Sequence, residues 1–199
     1  SYSVTGVQTC ALPILAEQNL IMTAAGMASD DKIVFATSYS AFTSMRCLEQ
    51  LRSFVAYPNL NVKVIAGLGG FTAGIEGVTH TSLEDLGIIR CIPNVVLINP
   101  ADAVATRKAV RAAALHHGPV YIRVGRDASP LMFSMDSYKL EIGKANVLED
   151  DGDDVAIVAS GFPLYETMEA FRRLKAGGVR AKLIDAPVLK PFDKDTILA

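Results

Sequence analysis

"VKVIAGLGGFTAGIEGVTHTSLEDLGIIRCIPNVVLIN", residues 62–99, holds one repeat of the pattern that sets the fold. "VKVIAG" (62–67) is a short run of strand length rich in Val and Ile, and it opens into a glycine-rich loop. "SLEDLGIIR" (82–90) reads as a short helix, with Ser82 and Asp85 spaced as an N-cap pair. "VVLIN" (95–99) is again an apolar strand.

The same alternation extends both ways. Residues 15–28 read as a helix with Glu17, Ile21, Ala24 or Ala25 and Ala28 on one face. "KIVFAT" (32–37) is a strand, and 41–55 is a helix placing Phe42, Met45, Leu48, Leu51 and Phe54 or Val55 on one stripe. A helix follows Pro100, and "VYIRVG" (120–125) is a further strand. Short strands separated by helices mean an α/β fold with a parallel sheet and helices on both faces. Residues 126–154 are loop-rich, with one extended stretch around 143–148. The "DDGDD" run (150–154) reads as a solvated turn between strands rather than a metal site. The α/β pattern then restarts with "VAIVASG", "PLYETMEAFRRLKAGG" and "VRAKLIDA".

The bulk composition narrows the class. Half of the 199 residues are apolar, a fifth are charged, and the net charge is −2. Nothing here forms the basic footprint of a nucleic-acid or anionic-membrane binder, and no apolar run has bilayer-spanning length. Three widely spaced cysteines without a CxxC pair argue against a disulfide framework and fit a reducing cytoplasm. Residues 1–14 lack a clear period and resemble translated adapter sequence at the end of a metagenomic fragment. They are expected to be a leader foreign to the domain, and both termini are expected to be truncated.

Taken one at a time, the polar candidates are ordinary. An acid such as Glu17 in a first helical turn is favoured by the helix dipole alone. His80 ends a loop, Arg126 follows a strand, and His116 and His117 suit a helix C-terminus. The glycine loop lacks both the dinucleotide spacing and a P-loop Lys-Ser/Thr.

Their combination is specific. "AEQNLIMTAAGMA", "FATSYSAFTSMRCLEQLR", "GGFTAGIEGVTHTSLEDLGIIRCIPNVVLINPAD" and "GPVYIRVGRDASP" occur in this order. Together they resemble the pyrimidine-binding domain of the transketolase family of thiamine-diphosphate enzymes. The restarted α/β unit resembles the start of that family's C-terminal domain. The expected organisation is a pyrimidine-binding domain over 15–135, a linker over 136–153 and a truncated C-terminal domain over 154–199.

The resemblance implies roles. Glu17, in the "EQN" motif, corresponds to the glutamate that hydrogen-bonds the aminopyrimidine ring nitrogen; burial favours a protonated carboxyl group able to share that proton. Tyr39 and Phe42 correspond to rings that stack on the aminopyrimidine, while Met45 stands where many members carry a third aromatic. His80 corresponds to a catalytic-channel histidine facing the sugar, Glu76 to an aspartate contacting a substrate hydroxyl, and Arg126 to the arginine that binds the sugar phosphate. Leu68 replaces a further substrate histidine, a departure that bears on the standard pentose-phosphate substrates and not on the cofactor.

The family holds the diphosphate and Mg²⁺ through Gly-Asp-Gly followed by a distant Asn, and these 199 residues contain no Gly-Asp-Gly. The resemblance therefore implies the C-terminal subunit of a split transketolase. Its expected partner is a metal-binding N-terminal subunit, in a hetero-oligomer or homodimer, and its reaction is two-carbon ketol transfer between sugar phosphates. The alternatives are a 2-oxo-acid dehydrogenase beta subunit, a deoxyxylulose-phosphate-synthase-like enzyme, and a non-catalytic interaction paralogue.

Overall fold

A computed structural model describes residues 16–199; the expected leader 1–14 lies outside the described residues. The elements run α1 (Glu17–Ala28), β1 (Val34–Tyr39), two π-helical turns (Phe42–Arg46 and Gln50–Ala56), β2 (Val62–Gly67), a 3₁₀ segment (Phe71–Glu76), α2 (Asp85–Cys91) and β3 (Val96–Ile98). They continue with α3 (Ala103–Leu115), β4 (Val120–Arg123), β5 (Asn146–Asp150), β6 (Val155–Ala159), α4 (Leu164–Ala176), β7 (Ala181–Asp185), β8 (Val188–Lys190) and α5 (Lys194–Leu198). The chain divides into two compact units, one formed by the residues up to 97 with 113–127, the other by 98–112 and 128–199.

In the first unit the strands lie in the order β1-β2-β4-β3. β1 pairs parallel with β2, and β2 parallel with β4, as alternating strands and helices require. Val62, Val64 and Ala66 are buried on β2, and Val120, Tyr121 and Ile122 on β4, so these strands read as continuous apolar runs. The α1 stripe emerges as read: Glu17, Leu20, Ile21, Ala24, Ala25 and Ala28 are buried.

Lys63 is the exception within β2. It is wholly buried and donates from Nζ to the carbonyl of His116, 2.7 Å away, and to that of Gly118. It thus satisfies carbonyls that follow the end of α3, for which the helix has no donors of its own. Burial lowers its pKa to about 8.

Two sequence expectations fail in this unit. The helix expected over 41–55 is broken into two π turns, so its buried face runs through Phe42, Thr43, Ser44, Cys47, Leu51, Val55 and Ala56. Met45 and Phe54 are exposed. The cause is local and tertiary together. Thr43 Oγ1 bonds the Tyr39 carbonyl at 3.1 Å and meets the Tyr121 hydroxyl at 3.1 Å, while Ser44 Oγ donates to the Ser40 carbonyl at 2.6 Å. These bonds widen the turn leaving β1.

The second failure is the Ser82/Asp85 cap. α2 has Glu84 at its N-cap and no side-chain cap bond. Asp85, fully buried, instead receives Arg123 Nε at 2.9 Å and Nη2 at 3.3 Å. Arg123 Nη2 also donates to the Ser82 carbonyl at 3.1 Å. The arginine thereby ties the glycine loop to β4. Gly69 is needed for this contact, because a Cβ there would lie 2.5 Å from Arg123 Nε.

The second unit contains a sheet in the order β5-β7-β6. β6 and β7 are parallel, as the restarted α/β pattern requires, whereas β5 runs antiparallel to β7. Phe171 of α4 packs on Ala181 and Leu183 with Leu148, Ile157 and Met168 around them. The acidic run forms the turn between β5 and β6, where Asp151 pairs with Lys175 and Asp154 with Arg180.

Candidate active site

Three elements of the first unit converge on Glu17. The residue opens α1 with only 4% of its surface exposed. Its Oε2 accepts from Arg46 Nη1 at 2.8 Å, and Arg46 ends the first π turn. The guanidinium lies over the Phe42 ring, 4.2 Å from its centroid. Phe42 stands 5.9 Å from the Tyr39 ring and meets His80 edge-on at 5.2 Å; Tyr39 and His80 are 5.8 Å apart. The end of β1, the π turn and the loop after β2 thus bring Tyr39, Phe42 and His80 into one aromatic cluster, which Arg46 links to the buried carboxylate.

The widened turn matters for this placement. It sets Phe42 at the end of β1 and, four residues on, returns Arg46 over the Phe42 ring; π turns recur at functional sites for such reasons. Cys47 sits beneath, fully buried. Burial and then the charge of Glu17 push its thiol up to about 12, which makes it an inert packing group.

Glu76 and Arg126 form a second group. Their side chains make an ion pair, and the Arg126 backbone N–H donates to Thr72 Oγ1 at 3.0 Å. The two expected substrate residues are therefore paired with each other. Leu68 lies between β2 and the glycine loop with φ of +58°, a left-handed conformation that is strained for a leucine. Nδ1 of His80 is engaged by Thr79 Oγ1 at 2.9 Å.

Arg46 was missed in the sequence. The available signal was its position four residues after Phe42, a spacing that brings side chains together on a helical turn. Its pairing with Glu17, 29 residues away, left no local trace. Among the described residues no group of three or more His, Cys, Asp or Glu is placed to hold a metal ion, and no helix is long and apolar enough to cross a membrane.

A buried carboxylate opening a helix, linked through Arg46 to converging rings on a parallel α/β sheet, is chemistry suited to a flat nitrogen heterocycle. The comparisons with known proteins agree with that class. Residues 7–131 match the transketolase pyrimidine-binding domain and residues 143–199 the transketolase C-terminal domain. The chain belongs to the transketolase family.

It is 41% identical over 184 residues to a putative transketolase C-terminal section from Methanocaldococcus jannaschii, covering 92% of this chain and 58% of that protein. It is 37% identical to an apulose-4-phosphate transketolase subunit of Phocaeicola vulgatus, with the same two coverages. A solved structure described as a split-gene transketolase, an inactive β4 tetramer, superposes with a TM-score of 0.84 at 40% identity, covering 92% of this chain and 59% of that one. The chain spans a little over half the length of these curated relatives.

Proposed function

We propose that this chain supplies the pyrimidine-binding half of a split, thiamine-diphosphate-dependent transketolase that moves a two-carbon ketol unit between sugar phosphates. The observation that carries the reading is Glu17, a carboxylate 4% exposed at the edge of the Tyr39–Phe42–His80 cluster. That set fits an aminopyrimidine: rings to stack on its faces and a buried carboxyl group to hydrogen-bond its edge. When bound, thiamine diphosphate supplies the carbanion chemistry that breaks and forms the carbon–carbon bond.

The chain's own residues position and bind. Tyr39 and Phe42 orient the heterocycle, and Glu17 hydrogen-bonds its ring nitrogen. His80, ring to ring with Phe42, faces the sugar. Arg126 receives the substrate phosphate in a guanidinium fork, and Glu76 both orients that arginine and accepts a substrate hydroxyl. A partner subunit contributes Mg²⁺ and the diphosphate site, in a hetero-oligomer. The split-gene relative, a β4 tetramer described as inactive, supports the need for that partner. Free Cys47 and Cys91 support a reducing, cytoplasmic setting.

The test is Glu17→Gln in the assembled enzyme. Gln is nearly isosteric but holds no transferable proton, so turnover is expected to fall by roughly two to four orders of magnitude with fold and assembly intact. Turnover close to wild type would reduce Glu17 to a helix-start residue.

A further inference from the structure

Arg46 makes, within this chain, the two contacts that an aminopyrimidine needs. Its guanidinium lies over Phe42 with Cζ 4.2 Å from the ring centroid, and its edge donates to Glu17 Oε2 at 2.8 Å. A guanidinium is planar, stacks on aromatic faces and carries N–H donors along its rim. It shares the shape and edge chemistry of a flat aminated heterocycle, and differs in its permanent charge.

We propose that Arg46 is a place-holder: in the cofactor-free chain it occupies the aminopyrimidine's seat on Phe42 and Glu17, and it must vacate that seat for the cofactor to bind. The inference rests on the function proposed above and adds a residue that sets cofactor affinity. The geometry gives Arg46 both a reason to be there and a way out. Glu17 is 4% exposed, and a buried carboxylate without a partner is costly, so the Arg46 cation has a reason to lie there. The Arg46 side chain is 34% exposed, so it already borders solvent. Gln18 Nε2 donates to the Arg46 carbonyl at 3.2 Å and holds the backbone of the turn while the side chain moves.

Two opposed consequences follow. The place-holder stabilises the free chain, and it lowers apparent cofactor affinity by the fraction of chains in which the seat is taken. A purely structural arginine would produce only the first.

The experiment is calorimetric titration of thiamine diphosphate with Mg²⁺ into the heteromer of this chain with its metal-binding partner subunit, using wild type, Arg46→Met and Arg46→Lys. Thermal melts of each free chain accompany the titrations. Arg46→Met is expected to bind about threefold to thirtyfold more tightly, the range of one cation–aromatic contact, while its free chain melts at a lower temperature. Arg46→Lys, which keeps the ion pair but cannot lie flat on Phe42, is expected in between, and it carries the test if the Met variant does not fold. Unchanged or weaker binding in the variants, with wild type binding normally, overturns the place-holder and leaves the transketolase reading standing. Absence of binding by wild type and variants alike overturns that reading, and this inference with it.

Discussion

Glu17 in the first unit and Asp185 in the second are both buried carboxylates, but the protein pairs them by different means, and Oδ1 of Asp185 has no hydrogen-bond partner among the described residues. Glu17 is met by a cation, Arg46, whose side chain is one third exposed on a widened turn. Asp185, at the end of β7, is met by neutral donors: the Tyr138 hydroxyl at 2.8 Å and Asn146 Nδ2 at 3.4 Å. The Tyr138 ring is itself clamped by stacking on Phe133, 4.0 Å between centroids. Burial, aided by the charge of Asp102, pushes Asp185 up to about 6. The difference shows how burial alone fails to mark a functional carboxylate. The proposed distinction is between a partner that gives way to a ligand, at Glu17, and partners packed in place, at Asp185.

The largest expected effect tests that distinction in one assay. Asp185→Asn is expected to keep turnover of the assembled enzyme within about twofold of wild type, where Glu17→Gln loses two to four orders of magnitude. Comparable losses at both positions would erase the contrast.

A second prediction sharpens the Asp185 side. Its folded pKa lies above the unfolded value, so the contribution is stabilising below about pH 4 and is lost as pH rises through about 6. Measured by denaturant unfolding, the stability gap between Asp185→Asn and wild type is expected to move in the variant's favour by about 2 kcal/mol between roughly pH 4 and pH 8. A gap that does not change with pH would show that Asp185 stays ionised in the fold.

The smallest effect concerns Arg126, which is ion-paired with Glu76 and is proposed to receive the substrate phosphate. Arg126→Ala is expected to lower kcat/KM by about one to two orders of magnitude for phosphorylated sugars, through KM, and much less for unphosphorylated analogues. Arg126→Lys recovers part of the loss, keeping charge but not the fork. Equal losses on both substrate classes would make the Glu76–Arg126 pair structural.

The legible parts of the molecule were those governed by local period. α1 shows its buried stripe because Ile21, Ala24, Ala25 and Ala28 recur at helical spacing. β2, apart from Lys63, and β4 show themselves as apolar runs because their residues are buried on both faces of the sheet. What was not legible depends on partners far along the chain. The first π turn involves Thr43 meeting Tyr121, 78 residues away. Asp85 abandons a helix cap for Arg123, 38 residues away, because a buried charge gains more from an arginine fork than from a solvated helix end. The candidate site was half legible for the same reason. Motif order singled out Glu17, Tyr39, Phe42 and His80, while Arg46, the residue that joins the carboxylate to the rings, is tied to Glu17 only through the fold.

The central claim, that this chain holds one half of a transketolase site, is tested most directly by reconstitution. The purified chain is assayed for ketol transfer between sugar phosphates alone, and then mixed with a metal-binding transketolase N-terminal section, thiamine diphosphate and Mg²⁺. The expected result is no activity above background from the chain alone and saturable activity in the mixture, rising to a fixed ratio of the two subunits. Ketol transfer by the chain alone, or none in any such mixture that assembles, would contradict it.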